Sequence, residues 1–413
     1  MSDWQTMRIG DLGRVVTGKT PPSSKPEMFD GDIPFITPSD MFDDQRHIRT
    51  ERFVSAAWDS KQRTLLPEGA ICVVCIGATI GKICMTSRSS QTNQQVNSVI
   101  VDPARFNSGF VYYAFRTLVG ELKARATGAA TPILNKSAFS DVTITVPPLE
   151  TQYRIAEILG AYDDLIEVNR QRIAVLEEMA RGLFAEWFIR LRFPGHEDVA
   201  IDDTPGGPLP VGWSWGTAGD LLLFDPRTRV PREGEKPFIP MGHLDTATSI
   251  IAEPEARTGN SGAKFQNGDT LFARITPCLE NGKTGLVRNL PGPDGIGFGS
   301  TEFIVMRGGR VGPAFSYCLS RLPDFREHAR MSMSGATGRQ RARTDSVADF
   351  SIAIPPANNL FERFEKAAWP MLELVGQIGL SSERLAAARD LLLPRLISGQ
   401  LSVTEAEREL EAA

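Results

Sequence analysis

The first stretch whose residue types could do chemistry is residues 13–20, GRVVTGKT, which has the letter pattern of a nucleotide-binding phosphate loop. Such a loop holds phosphate only when a helix starts at its Lys-Thr pair, because the free N–H groups of the helix start bind the phosphate oxygens. Here Pro21 and Pro22 follow at once, and a residue before a proline is disfavoured in helical geometry. The pattern therefore does not predict ATP binding, but Lys19 and Thr20 remain candidate phosphate contacts of another kind.

The pair Cys72 and Cys75 has the spacing of two zinc ligands, but it lies inside the apolar run 70–76. On a strand, two residues three positions apart point to opposite faces of the sheet, and no second Cys/His pair lies near. We therefore predict core cysteines and no metal site. The sequence also contains no methyl-donor motif, no dinucleotide-binding loop and no nuclease carboxylate cluster, so no catalytic residue is predicted.

Two windows of the sequence are locally basic. Residues 321–343 contain six arginines against two acidic residues, and residues 116–136 contain four basic residues against one acidic residue. Each window includes a loop rich in Gly, Ala and Thr or Ser, at 127–131 and 334–338. Small residues let the backbone approach a phosphate, hydroxyls donate to it, and Arg or Lys can reach base edges. The windows are therefore candidates for nucleic-acid binding; a single such loop is more often a solvated surface turn, and two loops at matched positions weigh equally for the two interpretations.

The candidate DNA-contacting residues share a basic, hydroxyl or amide side chain in or near matched loops of the two halves. Each of them has the alternative of being ordinary solvated surface, which is the usual place of charged side chains. The candidates are Lys19, Thr20, Lys82, Asn93, Arg125, Thr131, Lys136, Lys283, Arg330, Thr337, Arg339, Arg341 and Arg343.

The overall composition limits the class of protein. A chain of 413 residues is too long for one ordinary core, so we expect two or three domains. The net charge of −5 argues at face value against nucleic-acid binding, but binding responds to the local field, and the acidic residues gather away from the basic windows. No apolar run approaches the length of a membrane span, no signal-peptide layout is present, and five cysteines suit a reducing compartment. We therefore expect a cytoplasmic protein.

A long helix is predicted in the middle of the chain, after the proline pair 147–148. From 155 to 187 the apolar positions alternate steps of four and three residues, which is the heptad register of a helix that packs against another long helix. Asn169 is the one polar residue of this stripe, and a second stripe follows residues 355–356. The alternative is one edge of a globular core. The candidate partner-binding residues of the helices are Ile155, Leu159, Ile166, Asn169, Ile173, Leu176, Leu385 and Leu392.

Five short motifs occur twice, in the same order and about half a chain length apart, which indicates a tandem duplication. The pairs are Trp4 with Trp213, each followed by Gly-Asp-Leu; Pro34-Phe35-Ile36 with Pro237-Phe238-Ile239; Gly81-Lys82 with Gly282-Lys283; Gly128-Ala129 with Gly335-Ala336; and Pro147-Pro148 with Pro355-Pro356.

The repeat predicts an α+β protein in which two mixed α/β globular domains are separated by two long helices that form an antiparallel coiled coil. Strands are expected at 70–76, 96–101 and 142–146. Pro370 should bend or break the second helix, and the acidic end is expected to be frayed. The predicted divisions are a first domain 1–148, a central helix region 149–192, a linker 193–210, a second domain 211–356, a distal helix region 357–401 and an acidic tail 402–413.

With these features assembled, the chain resembles the specificity subunits of type I restriction-modification systems along nearly its whole length. The motifs that carry the resemblance are GDIPFITPSD at 31–40, TNQQVN at 92–97, VPPLETQ at 146–152 leading into RIAEIL at 154–159, and RDLLLPRLISG at 389–399. The chain departs from the family pattern after Pro355-Pro356, where the usual Leu-x-x-Gln is missing.

The resemblance implies two target recognition domains, each of which reads one half of an asymmetric, bipartite DNA sequence, and two helical regions that set the spacing. It also implies two methyltransferase subunits and motor-nuclease subunits as partners. S-adenosylmethionine is then expected in the methyltransferase partner, and no cofactor in this chain. Two other classes stay open, a fused methyltransferase or nuclease remnant and a coiled-coil protein scaffold. The first would bind S-adenosylmethionine by itself, and the second would show no salt-dependent DNA affinity.

Overall fold

The computed structural model describes residues 3–128, 131–335, 340–357 and 359–411, with side chains described up to 408. The chain forms two compact units, one made of Met1–Val168 with Ser382–Ala413 and the other of Asn169–Ser381. None of the helices in the described ranges has an apolar stretch of the length that a bilayer crossing needs.

The first half of the chain is a mixture of short strands and short helices. Its strands are β1 (Gln5–Arg8), β2 (Gly13–Thr17), β3 (Ile33–Ile36), β4 (Phe53–Val54), β5 (Ile71–Val74), β6 (Ile83–Met85), β7 (Gln91–Thr92), β8 (Val96–Val101) and β9 (Thr143–Val146). Its helices are α1 (Ala56–Asp59), α2 (Ser108–Thr117), α3 (Val119–Arg125) and α4 (Lys136–Ser140), followed by the long α5 (Leu149–Phe184). The three strands predicted at 70–76, 96–101 and 142–146 are confirmed.

The main sheet of the first half has the strand order β2-β8-β5-β6 and is antiparallel. A second sheet has the order β4-β3-β7, and β1 pairs with β9. The central strand β5 is covered on both faces, since Cys72 lies in one apolar cluster and Ile71 and Val73 lie in another. Cys75 belongs to the same cluster as Ile71 and Val73, so the two cysteines point to opposite sides as predicted.

The second half repeats this topology. It contains β10 (Ile201–Thr204), β11 (Gly207–Pro210), β12 (Ser214–Thr217), β13 (Leu222–Phe224), β14 (Lys236–Ile239), β15 (Glu255–Arg257), β16 (Ala263–Gln266), β17 (Thr270–Ala273), β18 (Thr284–Leu286), β19 (Ile296–Gly299), β20 (Phe303–Gly308) and β21 (Ser351–Ile354). The helices are α6 (Pro313–Arg321), α7 (Pro323–Met331), α8 (Thr344–Ala348), α9 (Asn359–Ile397) and α10 (Val403–Glu411).

The strand orders show the repeat directly. The sheet β13-β20-β17-β18 has the order of β2-β8-β5-β6, and β12 pairs with β21 as β1 pairs with β9. The parallel pair β14 and β19 corresponds to the parallel pair β3 and β7. The duplication predicted from five short motifs is therefore a duplication of topology.

The two long helices run antiparallel where they meet. In the first unit, Asp163 of α5 forms an ion pair with Arg389, near the end of α9, and both side chains are almost fully buried. In the second unit, the ring of Phe184 at the end of α5 lies 5.9 Å from that of Phe364, near the start of α9. An early position on one helix thus meets a late position on the other in each unit. The two-helix prediction is confirmed.

A buried tyrosine joins each globular part to α5. The Tyr113 hydroxyl on α2 donates to the Asp163 carboxylate at 2.6 Å. The Tyr317 hydroxyl on α6 donates to the Glu177 carboxylate at 2.7 Å. Because α2 and α6 occupy the same place in the repeat, the two halves attach to the helix by the same chemistry.

The break expected at Pro370 is absent from the distal helix region. Helix α9 continues through Pro370, because the flanking residues Ala368 and Leu372 are fully buried and hold both sides of the proline in the helix. Helix α9 begins at Asn359 although the Leu-x-x-Gln of the family pattern is absent after Pro355-Pro356. In the first half, Gln152 accepts from the backbone N–H of Asn107 before α2. In the second half, Glu365 accepts from that of Ala314 at the start of α6.

The acidic end is a packed helix and not a frayed tail over its described residues. Ser402 and Glu405 form a reciprocal cap at the start of α10, and Val403 and Ala406 are buried in the core of the first unit. The Arg154 guanidinium on α5 donates to Glu407. The capping signal was present in the sequence, but the count of glutamates outweighed it. The predicted linker 193–210 likewise contains the hairpin of β10 and β11.

Candidate nucleic-acid interface

The phosphate-loop pattern lies on a strand and the loop after it. Residues 13–17 form β2, and a Cβ at Gly18 would overlap the backbone carbonyls of Thr92 and Asn93, so this position requires glycine. No helix begins at Lys19 in this described segment. Lys19 and Thr20 are exposed, and the Thr20 hydroxyl donates to the Gln94 side chain. The structure thus places both predicted residues on an exposed loop, without a nucleotide site.

Asn93 is used inside the protein. Only 7% of the residue is exposed, its side-chain oxygen accepts from the Gln95 backbone N–H at 3.1 Å, and its amide nitrogen donates to the Gln95 side chain at 2.9 Å. The motif at 92–97 therefore shapes a turn, and Asn93 as a DNA contact stays a prediction that needs this turn to open.

Lys82 and Lys283 perform the same structural task in the two halves. The Lys82 ammonium donates to the Met41 carbonyl at 2.8 Å, and the Lys283 ammonium donates to the Met241 carbonyl at 3.1 Å. Each lysine fastens the loop that follows the first strand of the sheet that contains the parallel strand pair, β3 in the first half and β14 in the second. Lys82 also lines a cleft of about 330 Å³ together with Arg116, Lys123 and Asp43.

Three of the predicted arginines are neutralised by carboxylates. Arg125 forms an ion pair with Glu121 at 2.7 Å, and Arg330 with Glu327 at 2.6 Å. Arg341 binds both oxygens of Glu302, and this hydrogen bonding lowers the pKa of the Glu302 carboxyl. Each of these guanidiniums shares two of its nitrogens and its charge with a carboxylate, so it attracts a phosphate less strongly than an unpaired arginine does.

The glycine-rich loops occupy matched positions. In the first half, Thr127 and Ile133 exchange two backbone hydrogen bonds, and Ser334 and Arg341 do the same in the second half. Both loops are therefore closed by the same type of bridge. Thr131, Lys136 and Arg343 are exposed nearby. Thr337 and Arg339 lie outside the described residues, as do Ala129, Ala130, Ala336 and Gly338 of the same loops.

The residues predicted to bind a partner helix are mostly buried within the chain. Ile155 and Leu159 belong to the core of the first unit. Ile166, Asn169 and Ile173 are each less than a tenth exposed, and Leu176, Leu385 and Leu392 are half-buried. Their availability to another subunit is therefore small, and the role stays a prediction. Other apolar residues of α5 are exposed by more than two-fifths, namely Leu165 and Val168 in the first unit and Val175 and Met179 in the second.

A further group of cationic side chains, which was not among the predicted residues, lines a cleft of the described part of the chain. This cleft of the second unit has a volume of about 1020 Å³. We call it the basic cleft, and its charged lining residues are Arg227, Arg229, Arg232, Lys264, Arg274 and Asp225. Within the described ranges, the first four have no hydrogen-bond or ion-pair partner for their side chains. A signal was present, since three arginines fall within 227–232.

The loop that carries these arginines is anchored at its start. Asp225 adopts a positive φ of 47°, and its backbone N–H and one carboxylate oxygen bond to Val305 at 2.8 and 2.9 Å. Its other carboxylate oxygen accepts from the Thr344 hydroxyl. The one acidic residue of the basic cleft is thus occupied inside the protein.

The order of residues in the loop then exposes the arginines. Thr228 accepts from the Arg307 guanidinium at 2.8 Å, and Val230 is 8% exposed. Arg227 and Arg229, which alternate with them, are exposed. Alternation of this kind is what an extended chain produces when one side of it is fastened to the protein. Lys264 reaches the same cleft from β16.

Comparison with known proteins finds one kind of relative. The family model described as the type I restriction modification DNA specificity domain matches residues 1–178. The MjaIX specificity subunit of a type I restriction enzyme from Methanocaldococcus jannaschii is 27% identical over 430 aligned residues, which cover 98% of this chain and 94% of the relative. The HindI specificity subunit of Haemophilus influenzae is 38% identical over 156 residues, which cover 36% of this chain and 33% of that protein.

A solved structure shows the same fold. The crystal structure of the type I restriction-modification S subunit from M. genitalium superimposes with a TM-score of 0.58 at 14% identity, and the match covers 95% of this chain and 96% of that one. Over nearly its whole length the chain is therefore similar to a type I restriction enzyme specificity subunit, and it has the fold of an S subunit.

The match of the family model ends inside α5. The segment that it covers contains the first globular part and most of that helix. The second half repeats the same strand orders with different residues in its loops. The basic cleft therefore lies outside the residues that the family model matches.

Proposed function

We propose that this chain is the non-catalytic DNA-recognition subunit of a type I restriction-modification complex. Each globular part reads one half of an asymmetric, bipartite DNA sequence, and the antiparallel helices set the distance between the halves. Similarity to type I specificity subunits supports this function, as does the exposure of positively charged loop residues in both halves.

The single observation that carries the proposal is the duplication of topology with different loops. Two copies of one scaffold present different side chains at matched places, such as Lys19 and Thr20 after β2 and the three arginines after β13. Two readers with different side chains favour different base sequences, since side-chain contacts to base edges carry the sequence information. The recognised sequence is therefore asymmetric.

The proposed partners are two methyltransferase subunits and motor-nuclease subunits, in the cytoplasm. The methyltransferase subunits bind S-adenosylmethionine and methylate an adenine that is flipped out of the duplex. The exposed apolar side chains of α5, Leu165 and Val168 in one unit and Val175 and Met179 in the other, support a docking role for this helix, since large exposed apolar residues mark interaction surfaces.

The first prediction concerns the two halves of the site. The full chain, in complex with its methyltransferase subunits, is incubated with a library of randomised duplexes, and the bound duplexes are sequenced. We expect two specified blocks of bases with an unspecified gap between them. Replacing residues 211–356 with the matching residues of a related specificity subunit should change one block and leave the other block and the gap unchanged.

The reciprocal replacement of residues 1–148 is the matched control and should change the other block. If one replacement altered both blocks, the modular division of recognition would be wrong. If the wild-type complex enriched no sequence at all, the recognition function itself would be wrong. Salt-independent binding of DNA would instead favour a protein scaffold, since phosphate contacts release counterions.

A further inference from the structure

We propose that the basic cleft of the second unit binds the sugar-phosphate backbone of the DNA duplex, through Arg227, Arg229, Arg232 and Lys264. This inference rests on the proposed recognition function. It names the side chains that supply the sequence-independent part of the binding, and it moves that role away from Arg330 and Arg341.

The positive charges of the basic cleft are available to a ligand. Arg330 and Arg341 each face a carboxylate within 2.7 Å, so a phosphate gains little from them. The four cations of the basic cleft have no such partner among the described residues, and Asp225, the acid beside them, is held by Val305 and Thr344. Unpaired guanidinium and ammonium groups release counterions from DNA when they bind phosphate, which is the source of the ionic part of protein–DNA affinity.

The loop that carries the arginines is preorganised. Pro226 and Pro231 restrict the backbone at both ends of the arginine loop. Between them, Thr228 is bonded to Arg307 and Val230 is buried. The loop is therefore fastened on one side while Arg227 and Arg229 project on the other. Because the backbone is already fixed, binding a phosphate orders only the side chains, which lowers the entropic cost.

The lining chemistry decides the class of ligand. Pockets for small molecules are lined mainly by apolar and aromatic groups, whereas this cleft of about 1020 Å³ collects five cationic side chains. Its cations are spread along a loop and an adjacent strand, which suits successive phosphates better than one anion. The loop also follows β13, the counterpart of β2, and Lys19 and Thr20 are exposed on the loop after β2. The matched placement favours DNA over an acidic protein partner.

The experiment compares two double variants of the full chain in its methyltransferase complex. R227Q/R229Q removes two charges from the basic cleft, and R330Q/R341Q removes two charges from ion pairs in the same half of the chain. Binding of the duplex selected by the wild-type complex, and of a scrambled duplex, is measured over a range of salt concentrations. For R227Q/R229Q, the slope of log affinity against log salt should become shallower by about 0.9 for each phosphate that the variant no longer neutralises.

Both duplexes should show this change, since phosphates are the same in every sequence. R330Q/R341Q should keep the wild-type slope, and the charge-conserving R227K/R229K should keep it as well. Thermal melting of each variant checks that the exposed substitutions leave the fold intact.

An unchanged slope for R227Q/R229Q would overturn the proposal while the recognition function stands. So would a changed base preference at an unchanged slope, because the arginines would then read bases. If R227Q/R229Q lost the binding of an acidic protein partner while its DNA binding stayed unaltered, the proposal would also be overturned. If the wild-type complex selected no duplex at all, the recognition function would fail, and the cleft proposal would fail with it.

Discussion

Tyr317 lies at the centre of a buried polar network in the second unit. Its hydroxyl donates to Glu177 and accepts from the Arg321 guanidinium at 2.9 Å. Glu177 is 1% exposed and also accepts from the Ser249 backbone N–H. Arg321 donates in addition to the carbonyls of four residues, Thr246, Thr248, Gly282 and Thr284. A buried carboxyl and a buried guanidinium are tolerated here because nearly every polar atom of the network has a hydrogen-bond partner.

The second prediction follows from this network. Tyr317→Phe leaves one Glu177 oxygen and one Arg321 N–H without a partner in a place that water does not reach. The free energy of unfolding should fall by about 1–3 kcal/mol, measured by denaturant unfolding of the full chain. The matched control is Tyr153→Phe on α5, which is 52% exposed and should unfold like the wild type. Equal midpoints for both variants would contradict the network.

Individual residues were the least predictable level. The spacing of Cys72 and Cys75 gave their opposite orientation, because alternation along a strand is a local property. The neutralisation of Arg341 by Glu302 was not visible, since the two residues are distant in sequence and meet only through β20 and the closed loop. The basic cleft was missed for the same reason, as Lys264 joins the arginine loop only after the sheets form.

Helix α10 is the element for which the structure corrects the sequence interpretation most clearly. The face that it packs against the core of the first unit carries Val403 and Ala406, which are 6% and 0% exposed. Thr404 lies on the same helix and is exposed. The acidic composition suggested a solvated end, but acidic side chains in the first turn of a helix stabilise it.

The third prediction tests the packing of α10. Ala406→Asp places a carboxylate in the core and should lower the free energy of unfolding by on the order of 3 kcal/mol, since a buried charge without a partner is among the most destabilising changes. Thr404→Asp adds the same charge on the exposed face and should leave stability nearly unchanged. Denaturant unfolding compares the two, and equal effects would mean that the helix frays in solution.

The long helices were predictable because heptad spacing repeats over many turns, and a period of that length needs no tertiary information. Their ends were less predictable. Pro370 carries a local cost, but burial of Ala368 and Leu372 exceeds it, and burial of a whole helix face depends on the rest of the fold.

At the scale of the whole molecule, both units contain buried cysteine thiols and tyrosine hydroxyls, which are weak acids. Burial raises the pKa of the Cys75 thiol to about 11 and that of the Cys72 thiol to about 12. Burial also raises the pKa of the Tyr112 hydroxyl to about 12, and raises those of Tyr317 and Cys318 in the second unit. The folded protein therefore holds these protons at a pH where the unfolded chain has released them.

The fourth prediction follows from the sign of these shifts. A group whose pKa is higher in the folded state stabilises the fold fully below its unfolded pKa, about 9 for a thiol, and loses that contribution as the pH rises toward the folded value. Thermal or denaturant unfolding should show a steady loss of stability above about pH 9. Cys75→Ala should make the decline shallower between about pH 9 and about pH 11, and an identical decline in both proteins would contradict the assignment.

The twin fastening by Lys82 and Lys283 has a consequence for how such a molecule can change. Each ammonium donates to a backbone carbonyl, so the two lysines stabilise corresponding loops of the two halves from inside the protein. Substitutions in the exposed loops then alter the recognised DNA sequence without destabilising the fold of that half. During evolution one half can therefore change the DNA sequence that it recognises while the other half keeps its own.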